Sequence, residues 1–192
     1  MFEITVKDIP LRFETNDEVF SPKAADKGTL AMLSHVDFAA GDKVLDLGCG
    51  CGIVGITAAK IIGGGKVFMC DISGNAVELS AKNAALNGVS DVTIVQSDGM
   101  KSLTESGFTL ILSNPPYHTD FSVAKSFIEK GFNRLAVGGK MFMVTKRLDW
   151  YKNKFTAIFG GVRIYEHDGY FVFEAEKRRA EYANAFKKGK KK

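Results

Sequence analysis

Four polar residues stand at the ends of apolar runs in this chain: Asp46 in VLDLGCGCG, Asp71 in KVFMCDIS, Asp98 in IVQSDGM and Asn114 in LILSNPPY. An ionised carboxylate only accepts hydrogen bonds. Asp71 therefore suits a pair of ribose hydroxyls, and Asp98 suits an adenine amino group with Ile72 and Met100 on the two faces of the ring. Asn114 is followed by two prolines, which lack an N–H and push each preceding residue out of the helical region. Asn114 and Pro115 are thus expected to be extended past their strand, with carbonyl oxygens directed out of the ladder. The Asn114 side-chain oxygen and the Pro115 backbone oxygen then form two acceptors for an amine attached to a planar group. Such a nitrogen has a delocalised lone pair, and two acceptors would orient it and stabilise the charge that develops on it. Tyr117 offers a face on which the planar group stacks.

The glycines around Asp46 admit two ligands. Gly50, Gly52 and Gly55 spell a literal G-x-G-x-x-G with Asp71 21 residues beyond Gly50, which fits a dinucleotide fingerprint and an NAD-dependent oxidoreductase. Asp46, Gly48, Gly50 and Gly52 also spell D-x-G-x-G-x-G, in a register starting two residues earlier. A carboxylate beside the loop suits a ligand bearing an ammonium and a sulfonium better than a pyrophosphate, which prefers helix amides without a nearby anion. No cysteine lies near Asn114, which argues against chemistry through a thiolate adduct.

The elements that must position these residues alternate. FEITVK and LRFET predict a leading hairpin within residues 1–20, and a helix is expected from Pro22 to about Phe38. Strands are predicted at 43–47, 66–71, 92–96, 108–113 and 140–145. Helices are predicted at 53–62, 74–87, 120–136 and 149–159, with a short one between the third and fourth strands. Two last strands meet at Asp168-Gly169, a strong hairpin signal. The alternation predicts an α/β fold: a seven-stranded, mostly parallel sheet with helices on both faces and an antiparallel edge hairpin.

The 192 residues, 45% hydrophobic and 25% charged, suit one domain, expected to span residues 1–176. No apolar stretch approaches the roughly 20 residues that span a bilayer, and a soluble, cytoplasmic protein is expected. Cys49, Cys51 and Cys70 match neither a disulfide framework nor a zinc spacing and read as small buried residues. His35 and His167 show no metal-ligand pattern, and no metal is expected. His118 is read as a substrate contact or a turn-surface residue, and Lys146 and Arg147 as meeting either phosphates or surface carboxylates. From Lys177 to Lys192, eight basic residues face Glu181 alone, a net +7 that leaves −3 for the rest of a +4 chain. Such a tail is either a polyanion contact or a solvated end.

Taken in order, VLDLGCGCG, CDIS, QSDGM and SNPPY resemble the successive motifs of class I S-adenosylmethionine-dependent methyltransferases, across roughly residues 20–176. The resemblance implies a Rossmann-like fold and S-adenosyl-L-methionine as cofactor, with Gly99 and Asn114 joining the cofactor contacts. Thr29, within a segment that folds over the methionine end in such enzymes, is a further implied contact. NPPYH and GGVRIYEHDGYFVFEAEK are similar to the small-domain methyltransferases typified by RsmC, which act on guanine N2 of small-subunit ribosomal RNA. The chain departs from them by Tyr117 where phenylalanine is usual, and their additional N-terminal domain is not expected within its 192 residues. An N-methyltransferase acting on an exocyclic base nitrogen of RNA is the implied activity, with ribosomal RNA as partner. Adenine N6 and the glutamine side-chain nitrogen are the alternative targets, and a non-catalytic RNA-binding protein is the alternative class.

Overall fold

The computed structural model describes residues 1–15, 25–116 and 121–183. Tyr117, His118, the expected helix start at Pro22 and the lysines from Lys187 onward lie outside the described residues.

The chain opens with strands β1 (Phe2–Val6) and β2 (Ile9–Phe13), paired antiparallel across a two-residue turn in which Lys7 and Asp8 both have positive φ. That mirror-image turn matches the twist of the strands it joins. Helix α1 (Lys27–Ser34) follows, then β3 (Val44–Leu47), α2 (Ile53–Ile62), β4 (Val67–Asp71), α3 (Gly74–Leu86), β5 (Thr93–Gln96) and β6 (Phe108–Ser113). Helix α4 (Phe121–Arg134), β7 (Leu135–Thr145), α5 (Asp149–Phe159), β8 (Arg163–His167) and β9 (Tyr170–Glu176) complete it.

The main sheet has seven strands in the order β5-β4-β3-β6-β7-β9-β8. Strands β3 to β7 run parallel, and β9 inserts antiparallel between β7 and β8. Neighbouring residues of a strand point to opposite faces. Val44, Phe142 and Val144 accordingly join the core under α1, α2, α3 and the leading hairpin. Leu45, Leu47, Met141 and Met143 join the core under α4 and α5. The chain grows outward from β3 through β4 to β5, then returns to place β6 on the other side of β3. That reversal opens a crevice over the carboxyl ends of β3 and β6, where open α/β sheets take their ligands.

Four local features differ from the sequence-based expectation. Helix α1 is shorter than Pro22–Phe38: Asp26 is extended and caps it by accepting the Thr29 N–H, and past Ser34 the chain turns to bury Val36 completely. No short helix forms between β5 and β6. Gly99 turns the chain at positive φ, and the carbonyls of Leu103 and Glu105 are taken by the Arg134 guanidinium instead of by helical amides. Strand β7 begins five residues early, at Leu135, which pairs with Phe108 of β6 before the register shifts ahead of the Leu110–Lys140 pair. There Gly139 passes so close to Phe108 that a Cβ would lie 2.7 Å from its carbonyl oxygen.

The fourth concerns the end of the chain, where packing continues past Glu176. Lys177 is 7% exposed, donates to the Leu135 carbonyl at 2.7 Å and lies over the Phe132 ring. Tyr182 packs edge-on to Phe132 and bonds Asn133 and the Glu129 carbonyl. Among the described residues, no helix is long and apolar enough to cross a membrane.

Candidate functional site

A pocket of about 450 Å³ lies over the carboxyl ends of β3, β4 and β6. Thr29, Asp46, Gly48, Gly50, Asp71, Ile72, Asp98, Gly99, Asn114 and Pro115 all line it, so sequence positions from four separate motifs converge. Two expected residues do not line it. Gly52 faces inward, where a Cβ would meet Met69 at 2.9 Å and Ile56 at 3.0 Å, so its glycine serves helix-to-strand packing. Met100 is 2% exposed and packs in the α4–α5 core, because the turn at Gly99 aims it away from the pocket. Val123 and Phe127 of α4 line the pocket in its place. Phe127 was missed because its place on the apolar stripe of α4, with Ala124 and Ile128, reads as ordinary core.

The loop side of the pocket is closed upon itself. Asp71 accepts the Gly50 N–H through one oxygen (2.9 Å) and the Ser73 N–H through the other (3.0 Å). The Ser80 hydroxyl donates to the Gly50 carbonyl at 2.8 Å, and the amides of Gly48 and Cys49 both reach the Cys70 carbonyl. These bonds fix a loop whose glycines at 48, 50 and 52 all have positive φ, a conformation that side chains with a Cβ resist. Asp46 is buried and accepts the Gly55 N–H of α2 at 2.9 Å. Burial pushes its carboxyl up to about 7; the Gly55 amide opposes that shift and the nearby Asp71 charge adds to it. Asp98 is exposed at the rim, and its hydrogen bond and ion pair with Lys101 hold its carboxyl below the usual range.

The three cysteines, distant from Asn114 in sequence, are brought by the fold into the lining of the same pocket, against the expectation that no cysteine lies near it. Burial pushes Cys51 up to about 11 and Cys70 up to about 12, and Cys49 rises well above the ordinary thiol value. All three are therefore free, neutral thiols that fill space.

The strand-end side differs. Ser113 ties the end of β6 to β3 by donating to the Leu47 carbonyl at 2.7 Å, which fixes the residue that follows. Asn114 Nδ2 donates to Asp26 Oδ1 at 2.8 Å and to Thr29 Oγ1 at 2.9 Å. Asn114 Oδ1 is buried and, among the described residues, has no hydrogen-bond partner. A carboxylate cannot donate, so Asp26 dictates that the amide NH₂ faces α1 and the oxygen faces away from it. Thr29 thus supports Asn114 while lining the pocket. Asp26 was not anticipated as a site residue. Its signal was the cap position ahead of an apolar run, and its second role, 88 residues distant in sequence, leaves no local trace.

His35 and His167, read as separate structural or solvated residues, meet across 132 positions with their Nε2 atoms 2.6 Å apart. They join the end of α1 to the β8–β9 hairpin, and His35 stacks on Tyr165.

Comparison with known proteins places this geometry. The sequence profile of the methyltransferase small domain matches residues 10–174. Ribosomal RNA small subunit methyltransferase C of Pseudomonas putida is 30% identical over 179 residues, covering 91% of this chain and 53% of the relative. That of Serratia proteamaculans is 33% identical over 175 residues, covering 88% and 50%. The chain spans about half the length of the curated relatives it matches. Among solved structures, the Thermus thermophilus 16S rRNA N2 G1207 methyltransferase RsmC, in complex with AdoMet and guanosine, superposes with a TM-score of 0.83. It is 26% identical, over 92% of this chain and 50% of that one. Thermus thermophilus TrmN shares the fold at a TM-score of 0.68 and 24% identity, over 78% and 48%. With the profile covering most of its length and the fold shared with class I methyltransferases, this chain belongs to the methyltransferase small-domain family.

Proposed function

We propose that the chain is an S-adenosylmethionine-dependent N-methyltransferase domain, centred on residues 1–176, that acts on an exocyclic base nitrogen of RNA. The observation that carries this reading is the Asn114 amide: its nitrogen is held by Asp26 and Thr29, and its buried oxygen has no partner among the described residues. A buried acceptor left unpaired costs on the order of 1–3 kcal/mol, a cost offset when a substrate N–H arrives. The target we assign is guanine N2 of small-subunit ribosomal RNA, on the likeness to the RsmC relatives and to a structure solved with guanosine.

The residues present fit the cofactor. The pocket volume lies within the range of small-molecule sites, and Ile72, 67% exposed at its rim, is a large apolar side chain waiting to be covered by a ring. When bound, S-adenosylmethionine supplies an electrophilic methyl group on a sulfonium. Asp71 retains acceptor capacity on both oxygens for ribose hydroxyls, and Asp98 for an adenine amine. Asp46, held near neutrality by burial, ionises when an ammonium group comes to rest beside it. The Asn114 and Pro115 oxygens are the acceptors for the substrate N–H bonds and stabilise the charge developing on nitrogen. Tyr117 supplies the stacking face. No side chain need form a covalent bond to substrate.

Calorimetry with S-adenosylhomocysteine and with NAD tests the cofactor assignment. Binding of the homocysteine compound alone is expected; binding of NAD alone would overturn it.

A further inference from the structure

The mouth of the pocket carries two cations that the roles assigned above leave out. Strands β6 and β7 are parallel neighbours with Ser113 opposite Met143, so the residues after Thr145 leave the sheet beside Asn114 and Pro115. Lys146 and Arg147 are those residues, and both are exposed. They diverge. Lys146 Nζ sits 4.8 Å from the centre of the Tyr170 ring. That ring lies against the start of α1, where a Cβ on Gly28 would be 2.7 Å from it, one residue from pocket-lining Thr29. The Arg147 guanidinium sits 4.9 Å over the Phe121 ring, two residues before pocket-lining Val123. Consecutive cations are therefore directed to different elements, Lys146 toward the ring against the start of α1 and Arg147 toward the start of α4, each against an aromatic face.

The Arg147 side is a layered stack. Phe121 lies against Trp150 with ring centres 4.4 Å apart and planes 16° from parallel, and Trp150 meets buried Tyr151 edge-on. Trp150 is only partly buried, so part of its indole remains open to solvent. Asp149, the residue before Trp150, puts a carboxylate in the first turn of α5. Aromatic faces and guanidinium planes interleaved with cations suit unstacked bases joined by phosphates.

We infer that Lys146, Arg147 and the Phe121–Trp150 stack grip a single-stranded RNA segment on both sides of the nucleotide whose base enters the pocket. The cations take the flanking backbone and the open indole takes a neighbouring base. This rests on the reading that the pocket receives a base, because only an extruded base leaves its neighbours unstacked at the mouth. The grip gives affinity for the strand, while Asn114 and Pro115 select the nitrogen.

Trp150 is the sole tryptophan of the sequence, so its fluorescence reports on this surface alone. The full chain is titrated, without methyl donor, with a mixed-sequence single-stranded oligoribonucleotide and separately with poly-glutamate. RNA is expected to quench the emission saturably, with an affinity that falls with salt. The double variant Lys146→Ala, Arg147→Ala should bind about tenfold more weakly at low salt and lose roughly one to two units of the salt slope. Its affinity for S-adenosylhomocysteine should stay that of the parent, which verifies the fold. Unchanged RNA affinity and slope in the variant, RNA binding without any fluorescence change, absence of RNA binding, or equal quenching by poly-glutamate would each overturn the inference. Failure of the parent chain to bind S-adenosylhomocysteine would instead strike the methyltransferase reading, so the two failures are separable.

Discussion

The two sides of the pocket are built on opposite principles. On the loop side, the carboxylates of Asp46 and Asp71 already accept amides from Gly55, Gly50 and Ser73. On the strand-end side, the hydrogen bonds to Asp26 and Thr29 serve to leave one buried oxygen of Asn114 unanswered. The loop is a preformed seat, and the strand end is completed only by a donor from outside. Binding and chemistry should therefore separate under mutation, since preorganised acceptors act where charge develops and seats act on affinity.

The largest expected effect lies on the loop side and is one of stability. Asp46 titrates near 7 in the folded chain against an ordinary aspartate value in the unfolded one. A raised acid pKa stabilises the fold fully below about pH 4, and that contribution is lost as pH climbs through about 7. The loss for the ligand-free protein is about 4 kcal/mol. Asp46→Asn can still accept the Gly55 amide but cannot ionise, so thermal melts should show it gaining on the parent from pH 4 to about pH 7 and levelling off above that. A pH-independent difference would mean that Asp46 does not titrate in this range.

On the strand-end side, Asn114→Ala should cut methyl transfer about 100- to 1,000-fold while calorimetry finds the S-adenosylhomocysteine affinity within a few-fold of the parent. Equal losses in both would erase the contrast between the two sides. A smaller effect, about tenfold in transfer rate or 1.4 kcal/mol, is expected for Asp26→Asn. Asparagine caps a helix as well as aspartate, so the melting temperature should barely move. It can, however, donate to Asn114 as well as accept, and the amide loses its enforced orientation. A stability loss with an unchanged rate would reduce Asp26 to a cap.

The same division governed what the sequence disclosed. The loop side was legible because its parts lie within a few residues of one another: Asp46, Gly48 and Gly50 form one short pattern, and Asp71 ends the next strand. The sheet was equally legible, down to the hairpin at Asp168-Gly169, because apolar runs and turn residues encode it locally. Asn114 and Pro115, which both line the pocket, were singled out through the prolines. What holds Asn114 in place was not, because Asp26 is remote in the chain and bears only the marks of a helix cap. Met100 misled for a related reason. In a loop no periodicity says which way a side chain points, and the turn at Gly99 sends Met100 into the core and leaves the pocket wall to Phe127. The tail misled by composition: Lys177 looks like the first of a basic run, yet its ammonium closes off a carbonyl at the start of β7.

The central claim is that the unanswered oxygen of Asn114 receives an N–H of an RNA base. The most direct test incubates the chain with small-subunit ribosomal RNA and isotopically labelled S-adenosylmethionine, digests the RNA to nucleosides and identifies the labelled product by mass spectrometry. The account predicts label in N2-methylguanosine, lost when Asn114 is replaced by alanine. Label on a ribose oxygen or a ring carbon, or label that survives Asn114→Ala, would contradict it.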